Sequence, residues 1–197
     1  MSGIVGSLNT RGSGLINIGS ATDGQVFTGT GAGLPVGFEA AAGGGKVLQV
    51  VQDTLTTQFT TSSTSFTPVT GLSVSITPAV DSKVLLMGNL TACVTVSNSG
   101  ACCVKRDSTF LHIGDAAGSR QRALSSLRVE AGNNTLSQPL AYLDTHGADG
   151  STAVAYSWQV IAESGSATVF VNSSATDSDS SGYHRYASSI IAIEIGA

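Results

Sequence analysis

Charged residues are scarce in this chain, and their scarcity excludes several classes of function. Asp, Glu, Lys and Arg make up 11% of the 197 residues, whereas they make up roughly a quarter of an ordinary soluble domain. The net charge is −4, but nucleic-acid binding needs clustered Lys and Arg that replace the counterions of the phosphates. The few clustered basic residues stand near acids: Lys105 and Arg106 near Asp107, and Arg120 and Arg122 near Asp115. We interpret them as solvated loop charges and expect no nucleic-acid partner.

Long apolar runs and cysteine frameworks are missing as well. No stretch approaches the roughly 20 apolar residues of a membrane span, and the N-terminus lacks the basic start and apolar stretch of a secretory signal. We therefore expect no membrane insertion. Cys93, Cys102 and Cys103 include no CxxC pair, so they make neither a disulfide framework nor a zinc site. We expect reduced, buried thiols in a protein made in bacterial cytoplasm.

The motifs of nucleotide binding and nucleophilic catalysis are incomplete. Gly29–Gly33 resembles part of a phosphate loop, but no Lys-Ser/Thr pair or helix start follows it. The chain has no GxSxG elbow for His112, His146 or His184 to serve. We expect His112 to pack on the surface and His146 to lie in a solvated loop tip. Asp144, His146 and Asp149 lack the spacing of a calcium loop.

Isolated carboxylates argue against glycan hydrolysis, which needs two of them roughly 5 to 9 Å apart. The glutamates stand far from obvious acidic partners in the sequence: Glu39, Glu130, Glu163 and Glu194. Pairing across subunits stays open. We expect a protein that is not an enzyme and that has no cofactor and no bound metal.

Two compositional regimes meet near Lys46. More than half of the 24 glycines precede it, and such a segment cannot bury enough apolar area to offset its chain entropy. We predict an extended Gly-rich arm over residues 1–45 and one head domain over 46–197. The arm carries isolated apolar residues suited to docking on a partner or on its own symmetry mates: Ile4, Val5, Leu8, Leu15, Ile16, Val26, Phe27, Leu34 and Phe38.

From Lys46 onward the apolar pattern has a period of two, which is typical of strands. The run 71–78 is the clearest, with Leu72, Val74 and Ile76 inward. Further strands are predicted at 46–52, 56–60, 83–96, 101–106, 109–113, 124–129, 137–143, 152–162, 167–171 and 188–195. Short strands with frequent turn signals predict an all-β fold, an antiparallel β-sandwich or jelly roll without helices. Glu194 in the last strand is expected to point into solvent, with an interface ion pair as the alternative.

Two stretches of the arm resemble bacteriophage proteins. Gly19–Glu39 is similar to a short module that recurs in phage fibre proteins, and Met1–Gly14 resembles the N-termini of phage virion proteins. Within the module, Asp23-Gly24 predicts a tight turn and 26–28 a short strand. A disordered linker is the alternative. The resemblance implies an arm that docks on another virion protein.

The head carries a second resemblance. The order 64–78, then 82–86, then 190–195 is similar to the C-terminal head domains of phage fibres. It implies a homotrimeric jelly roll of the tumour-necrosis-factor type. The chain departs from long fibres because it has no repeat shaft, no coiled-coil heptads and no His-x-His pair. These departures leave tail and capsid locations open.

These features together predict a virion structural protein, a short tail fibre that mediates host-surface attachment. The alternatives are a capsid decoration (head fibre) protein and, third, a glycan-degrading tail protein. A host-surface glycan or receptor is expected to contact a loop that combines acids, aromatics, His and Arg, a set suited to sugar stacking and hydrogen bonding. Its candidate residues are Asp177, Asp179, Tyr183, His184, Arg185 and Tyr186. A solvated loop with both tyrosines packed on the sheet is the competing interpretation.

Overall fold

A computed structural model describes residues 25–29, 36–40 and 45–197. The chain divides into two units between Gly43 and Gly44. Throughout the described ranges the regular secondary structure is β-strand apart from turns, so the all-β prediction is confirmed. No helix within these ranges has the length and apolarity that a membrane span requires.

The described part of the arm is a β-hairpin. Strand β1 (Gln25–Gly29) pairs antiparallel with β2 (Val36–Ala40), and the register sets Phe27 opposite Phe38. The strand expected at 26–28 is confirmed, whereas the strand that contains Phe38 was not predicted. The other predicted docking residues, Ile4, Val5, Leu8, Leu15, Ile16 and Leu34, lie outside the described residues.

The head is a sandwich of two antiparallel sheets. The first contains β3 (Val47–Leu55), β4 (Phe59–Thr61), β6 (Lys83–Val94), β10 (Leu136–Asp144), β12 (Val169–Val171) and β13 (Ser188–Ile195), in the order β3-β13-β6-β12-β4 with β10 also paired to β6. The second contains β5 (Thr67–Ile76), β7 (Gly100–Arg106), β8 (Thr109–Leu111), β9 (Ser125–Ser126) and β11 (Val154–Ala162), in the order β5-β11-β7-β8 with β9 also paired to β7. Every head strand overlaps a predicted one, although β9 is much shorter than expected.

The core lies between the sheets, where alternate residues of each strand meet. Leu72, Val74 and Ile76 of β5 point inward and are at most 3% exposed, as their alternation predicted. Tyr156 and Trp158 of β11 are fully buried against them in the same cluster. Burying each large apolar side chain stabilises the fold by roughly 1.5–3 kcal/mol.

Strand β13 has the opposite orientation from the one expected. Glu194 faces the interior and is 2% exposed, while Ile191, Ile193 and Ile195 are partly exposed on the outer face. Hydrophobicity alone favours the isoleucines inside. The outer face of this sheet is also apolar, however, and hydrogen bonds satisfy the buried carboxylate, so sheet context overrides the local pattern.

The sandwich has two distinct ends. The chain enters at Gly45, whose amide donates to the carbonyl of Gly196 just beyond β13 (3.1 Å), and the loops 77–82 and 145–153 lie at this entry end. Strand β13 runs to this end from Ser188, so the loop 172–187 before it lies at the opposite, distal end. The loop 95–99 between β6 and β7 is also distal.

Candidate interaction surfaces

One outer face of the sandwich is apolar and open. Directly paired residues share a face of a sheet, and the pairing across β3, β13, β6 and β10 makes two outward rows: Val50, Ile193, Leu85 and Leu143, then Gln52, Ile191, Met87 and Ala141. We call these two rows the aliphatic face. Val50 is 58% exposed, Leu143 47% and Met87 42%. Large apolar side chains thus remain in contact with solvent across four neighbouring strands.

Charge is missing from the aliphatic face. The next row toward the distal end, Thr54, Ser189, Asn89 and Pro139, is uncharged as well. Toward the entry end the first charge met on β6 is Lys83, which pairs with Ile195. Exposed protein surface is ordinarily about 25–35% charged, and contiguous apolar patches of this kind mark contact sites. The face therefore has the chemistry of an interface.

Apolar residues on the outer face of the second sheet are less exposed. Ala101 and Cys103 of β7 and Ile161 of β11 lie outside the core cluster and yet are at most 5% exposed. The loop 112–124 lies over this region, as the shared lining of Ala101 with Ala117 shows. Ala101, Cys103 and Ile161 are therefore covered on the outer face of the second sheet, whereas the aliphatic face of the first sheet is open.

The predicted receptor residues come together in the distal loop 172–187. Arg185 Nη2 lies 3.0 Å from Asp177 Oδ2 in an ion pair, and the rings of His184 and Tyr186 lie 6.3 Å apart. Asp179 and His184 are exposed. Tyr183 and Tyr186 are partly buried. The loop connects β12 to β13, which both pair with β6 and not with each other, so it is not a hairpin turn.

A buried asparagine fastens the base of this loop. Asn172 adopts a left-handed backbone (φ 61°), and its Nδ2 donates to the carbonyls of Leu55 (2.8 Å) and Thr57 (3.1 Å). Ser188 Oγ donates to Asn172 Oδ1 (2.6 Å) and accepts from the amide of Thr91 (2.9 Å). The asparagine thus joins the β3–β4 connection to both ends of the distal loop.

At the entry end, Glu194 is held by hydrogen bonds. Gln49 Nε2 donates to its Oε2 (2.6 Å) and the amide of Ala79 donates to its Oε1 (2.7 Å). Burial alone would raise the pKa of Glu194, but the hydrogen bonds from Gln49 and from the amide of Ala79 lower it below its ordinary value. The carboxylate stays ionised inside the sandwich.

His146 is buried beside this cluster, so its predicted position in a solvated loop tip is wrong. Its Nδ1 accepts from the amide of Ala148 (2.8 Å), which leaves the proton of the neutral ring on Nε2, 3.3 Å from Ser82 Oγ. Ser82 Oγ in turn donates to the carbonyl of Ala79 (2.8 Å). The imidazole therefore presents a donor to the serine, and this arrangement does not activate a nucleophile.

Arg106 is likewise not the solvated loop charge that its neighbours suggested. It lies on β7, and its Nη1 is 2.7 Å from both oxygens of buried Asp144, which also accepts from Tyr156 Oη (2.8 Å). Burial and the bond to Asp144 raise the pKa of Tyr156. Lys105 of the same pair lies 4.2 Å above the ring of Phe110. The charged groups of Arg106 and Lys105 thus make structural contacts within the head.

The remaining candidates for chemistry are occupied or isolated. Asp149 accepts from the amides of Ser151 and Thr152, and Asp144 accepts from Arg106 and Tyr156, so both carboxylates already have hydrogen-bond partners. No three His, Cys, Asp or Glu side chains group as metal ligands would in the part of the chain that the structure describes. His112 follows β8 directly with φ 49°, and its ring centroid lies 5.3 Å from that of Tyr142.

All three thiols are free and buried, as expected. Burial raises the pKa of Cys93 to about 11 and those of Cys102 and Cys103 to about 12. Cys102 belongs to the core, whereas Cys103 lies outside that cluster and is buried as well. These thiols are packing groups, because thiolates are the reactive form.

Comparisons with known proteins give only distant structural similarity. No family model matches the chain, and no curated protein sequence matches it either. Among solved structures, the chain is similar to a protein of infectious bursal disease virus Gx strain, with 13% identity, a TM-score of 0.39 and coverage of 86% of this chain. A mutant VP2 protein of the same virus, from derived T=1 particles, gives 12% identity, a TM-score of 0.41 and the same coverage. The chain spans 41% and 40% of these two proteins' lengths.

Proposed function

We propose that this chain is a non-catalytic virion structural protein of a bacteriophage, and that its head works as a homotrimer. The uncharged aliphatic face carries the proposal. Its open apolar side chains lie on four strands of one sheet, and burying them removes apolar surface from water at roughly 25 cal/mol per Å². Copies of the same chain suit this face because neutral rows meet without like-charge repulsion. The resemblance of Gly19–Glu39 to a phage fibre module supports the virion assignment.

The role that fits best is a short tail fibre that attaches the particle to the host surface. The chain enters the sandwich at Gly45, so the distal loops lie at the far end of the head from the arm's attachment. Three weak sites on one rigid head gain affinity through effective concentration, without strong individual contacts. A capsid decoration protein is the second candidate, since the same arm and face would serve it. Copies per virion separate the two, with a few dozen or fewer expected for the tail and hundreds for the capsid.

Solution mass tests the self-association. We expect the purified full-length protein to weigh three times its 19.8 kDa subunit at micromolar concentration by light scattering or native mass spectrometry. Val50→Asp should shift the mass toward the single subunit, because the new carboxylate would be desolvated in the interface. Val80→Asp is a matched control, since Val80 is 59% exposed in the entry-end loop outside the face. A wild-type protein that stays a single subunit, or equal effects of both variants, would contradict the proposal.

Arm deletion tests the virion assignment separately. Removing residues 2–39 should leave a folded head that no longer incorporates into particles. Incorporation of the truncated protein at the wild-type level would show that the arm is not the docking element. A glycan-degrading activity, the third candidate, would be recognised by halo formation on a host lawn.

A further inference from the structure

A polar cleft opens at the distal end of the head, between the loop 112–124 and the second sheet. Two neighbouring cavities of about 340 and 530 Å³ share three lining residues, Arg120, Gln121 and Glu163. Small-molecule sites typically measure roughly 300–1,000 Å³. We call this region the distal cleft, and its size suits a small ligand.

The loop that forms one wall of the cleft is held at its neck. The amide of Gly114 donates to the carbonyl of Ala123 (3.2 Å), and Arg122 Nε donates to the carbonyl of Gly114 (2.7 Å). The amide of Leu124 then donates to Cys102 of β7 (2.9 Å). On the opposite wall, the amide of Glu163 donates to the carbonyl of Ser99 (3.1 Å). Glu163 therefore projects from an anchored backbone and Arg120 lies two residues from the anchored neck of its loop, which lowers the entropy cost of binding.

The cleft offers both hydrogen-bond donors and acceptors that other charges do not neutralise. Among the described residues, the ion pairs involve Arg106, Arg128 and Arg185. Arg120 and Glu163 line the cleft outside those pairs and are exposed. Serine and threonine hydroxyls and the Gln121 amide complete a lining without a large apolar patch. By contrast, the Arg185 guanidinium of the distal loop is already engaged by Asp177.

We propose that the distal cleft binds a saccharide. Sugar hydroxyls both donate and accept hydrogen bonds, so they match guanidinium donors and carboxylate acceptors at once. A phosphate would match Arg120 and Arg122 but would be repelled by Asp115 and Glu163, which also line the cleft. The inference rests on the proposed attachment function, and it moves the receptor contact from the predicted loop 177–186 to the cleft.

Ligand-observed NMR on the full-length protein tests the proposal. The probes are galactose, N-acetylglucosamine and galacturonate, each titrated to millimolar concentration with saturation-transfer detection. At least one should show saturable transfer, and Arg120→Ala and Glu163→Gln should each weaken its binding by about tenfold or more, since each removes a charge-assisted hydrogen bond. Arg128→Ala is the matched control, because Arg128 is exposed, is paired with Glu130 and is not among the residues that line the cleft. It should leave binding unchanged.

Two results would overturn the proposal: no saturable transfer with any of the three sugars, or binding that survives both cleft substitutions. Loss of binding in Asp177→Ala but not in Arg120→Ala would return the contact to the distal loop. Solution mass measured on the same samples keeps the two proposals apart. A trimer that binds no sugar refutes the cleft alone, whereas a single-subunit protein refutes the proposed function.

Discussion

Asn172 should be among the polar residues on which the stability of the head depends most. The side chain is fully buried, and Asn172→Ala would remove its two donors to Leu55 and Thr57 and its acceptor for Ser188. Buried partners left unsatisfied cost roughly 1–3 kcal/mol each. Alanine at φ 61° adds a backbone penalty of roughly 1–2 kcal/mol. Relaxation of the loop and entry of water recover part of this, so we expect a net loss of about 4 kcal/mol.

Trp158 is the only tryptophan and is fully buried, so its emission reports global unfolding. Urea titration at one fixed subunit concentration measures the loss, because association would make stability depend on concentration. A loss of about 4 kcal/mol corresponds to a lowering of Tm by roughly 8–16 °C for a domain of this size. Asn172→Gly separates the terms, because glycine accepts the left-handed backbone and still lacks the side chain. If Asn172→Ala cost less than about 1 kcal/mol, the asparagine would not fasten the loop.

The remaining predictions concern buried ionisable groups. Folding lowers the pKa of Glu194 from its ordinary 4.5, so its ionised form adds stability that is present above that pH and lost as the pH falls below it. The difference in unfolding free energy between wild type and Glu194→Gln should therefore shrink on acidification. A constant difference from pH 7 to about pH 3 would contradict this. Cys93, Cys102 and Cys103 should resist a disulfide thiol reagent at pH 8 in the native protein and all react after unfolding, so fast native labelling would contradict their burial. Tyr156→Phe should cost roughly 1.5–3 kcal/mol in urea unfolding by removing the bond to Asp144, and an unchanged midpoint would show that the hydroxyl contributes nothing.

Local patterning was enough to predict the strands and the core but not the direction of every strand. In β5, Leu72, Val74 and Ile76 alternate with polar residues, which predicts that these three side chains face the core. The structure confirms this orientation. In β13, isoleucines occur on both faces of the strand, with Ile190 inside and Ile191 outside. A pattern of period two therefore cannot decide which face of this strand is buried. The choice depends on Gln49, 145 residues away, which supplies a donor to Glu194.

The candidate surfaces show the same limit. Leu85 and Met87 are adjacent apolar residues of one predicted strand, but their continuation through Ile193 and Val50 depends on the pairing of strands that are distant in the chain. Similarly, Arg120 resembled an ordinary loop charge until the fold brought it to Glu163. His146 lies in a segment rich in turn residues, and only its contact with Ser82 reveals that the loop is packed. Long-range partners have no signature in local composition.

The placement of β13 between β3 and β6 has a kinetic consequence. Strand β3 is the first strand of the head and joins its sheet only through β13, the last strand. Its hydrogen bonds therefore cannot form until the C-terminal strand is in place. Such distant closures slow folding. During the delay the apolar side chains of β3 and β6 that pair with β13 stay exposed, which favours aggregation. Yield of the folded head should therefore fall sharply with synthesis temperature and rise when chaperones are co-expressed.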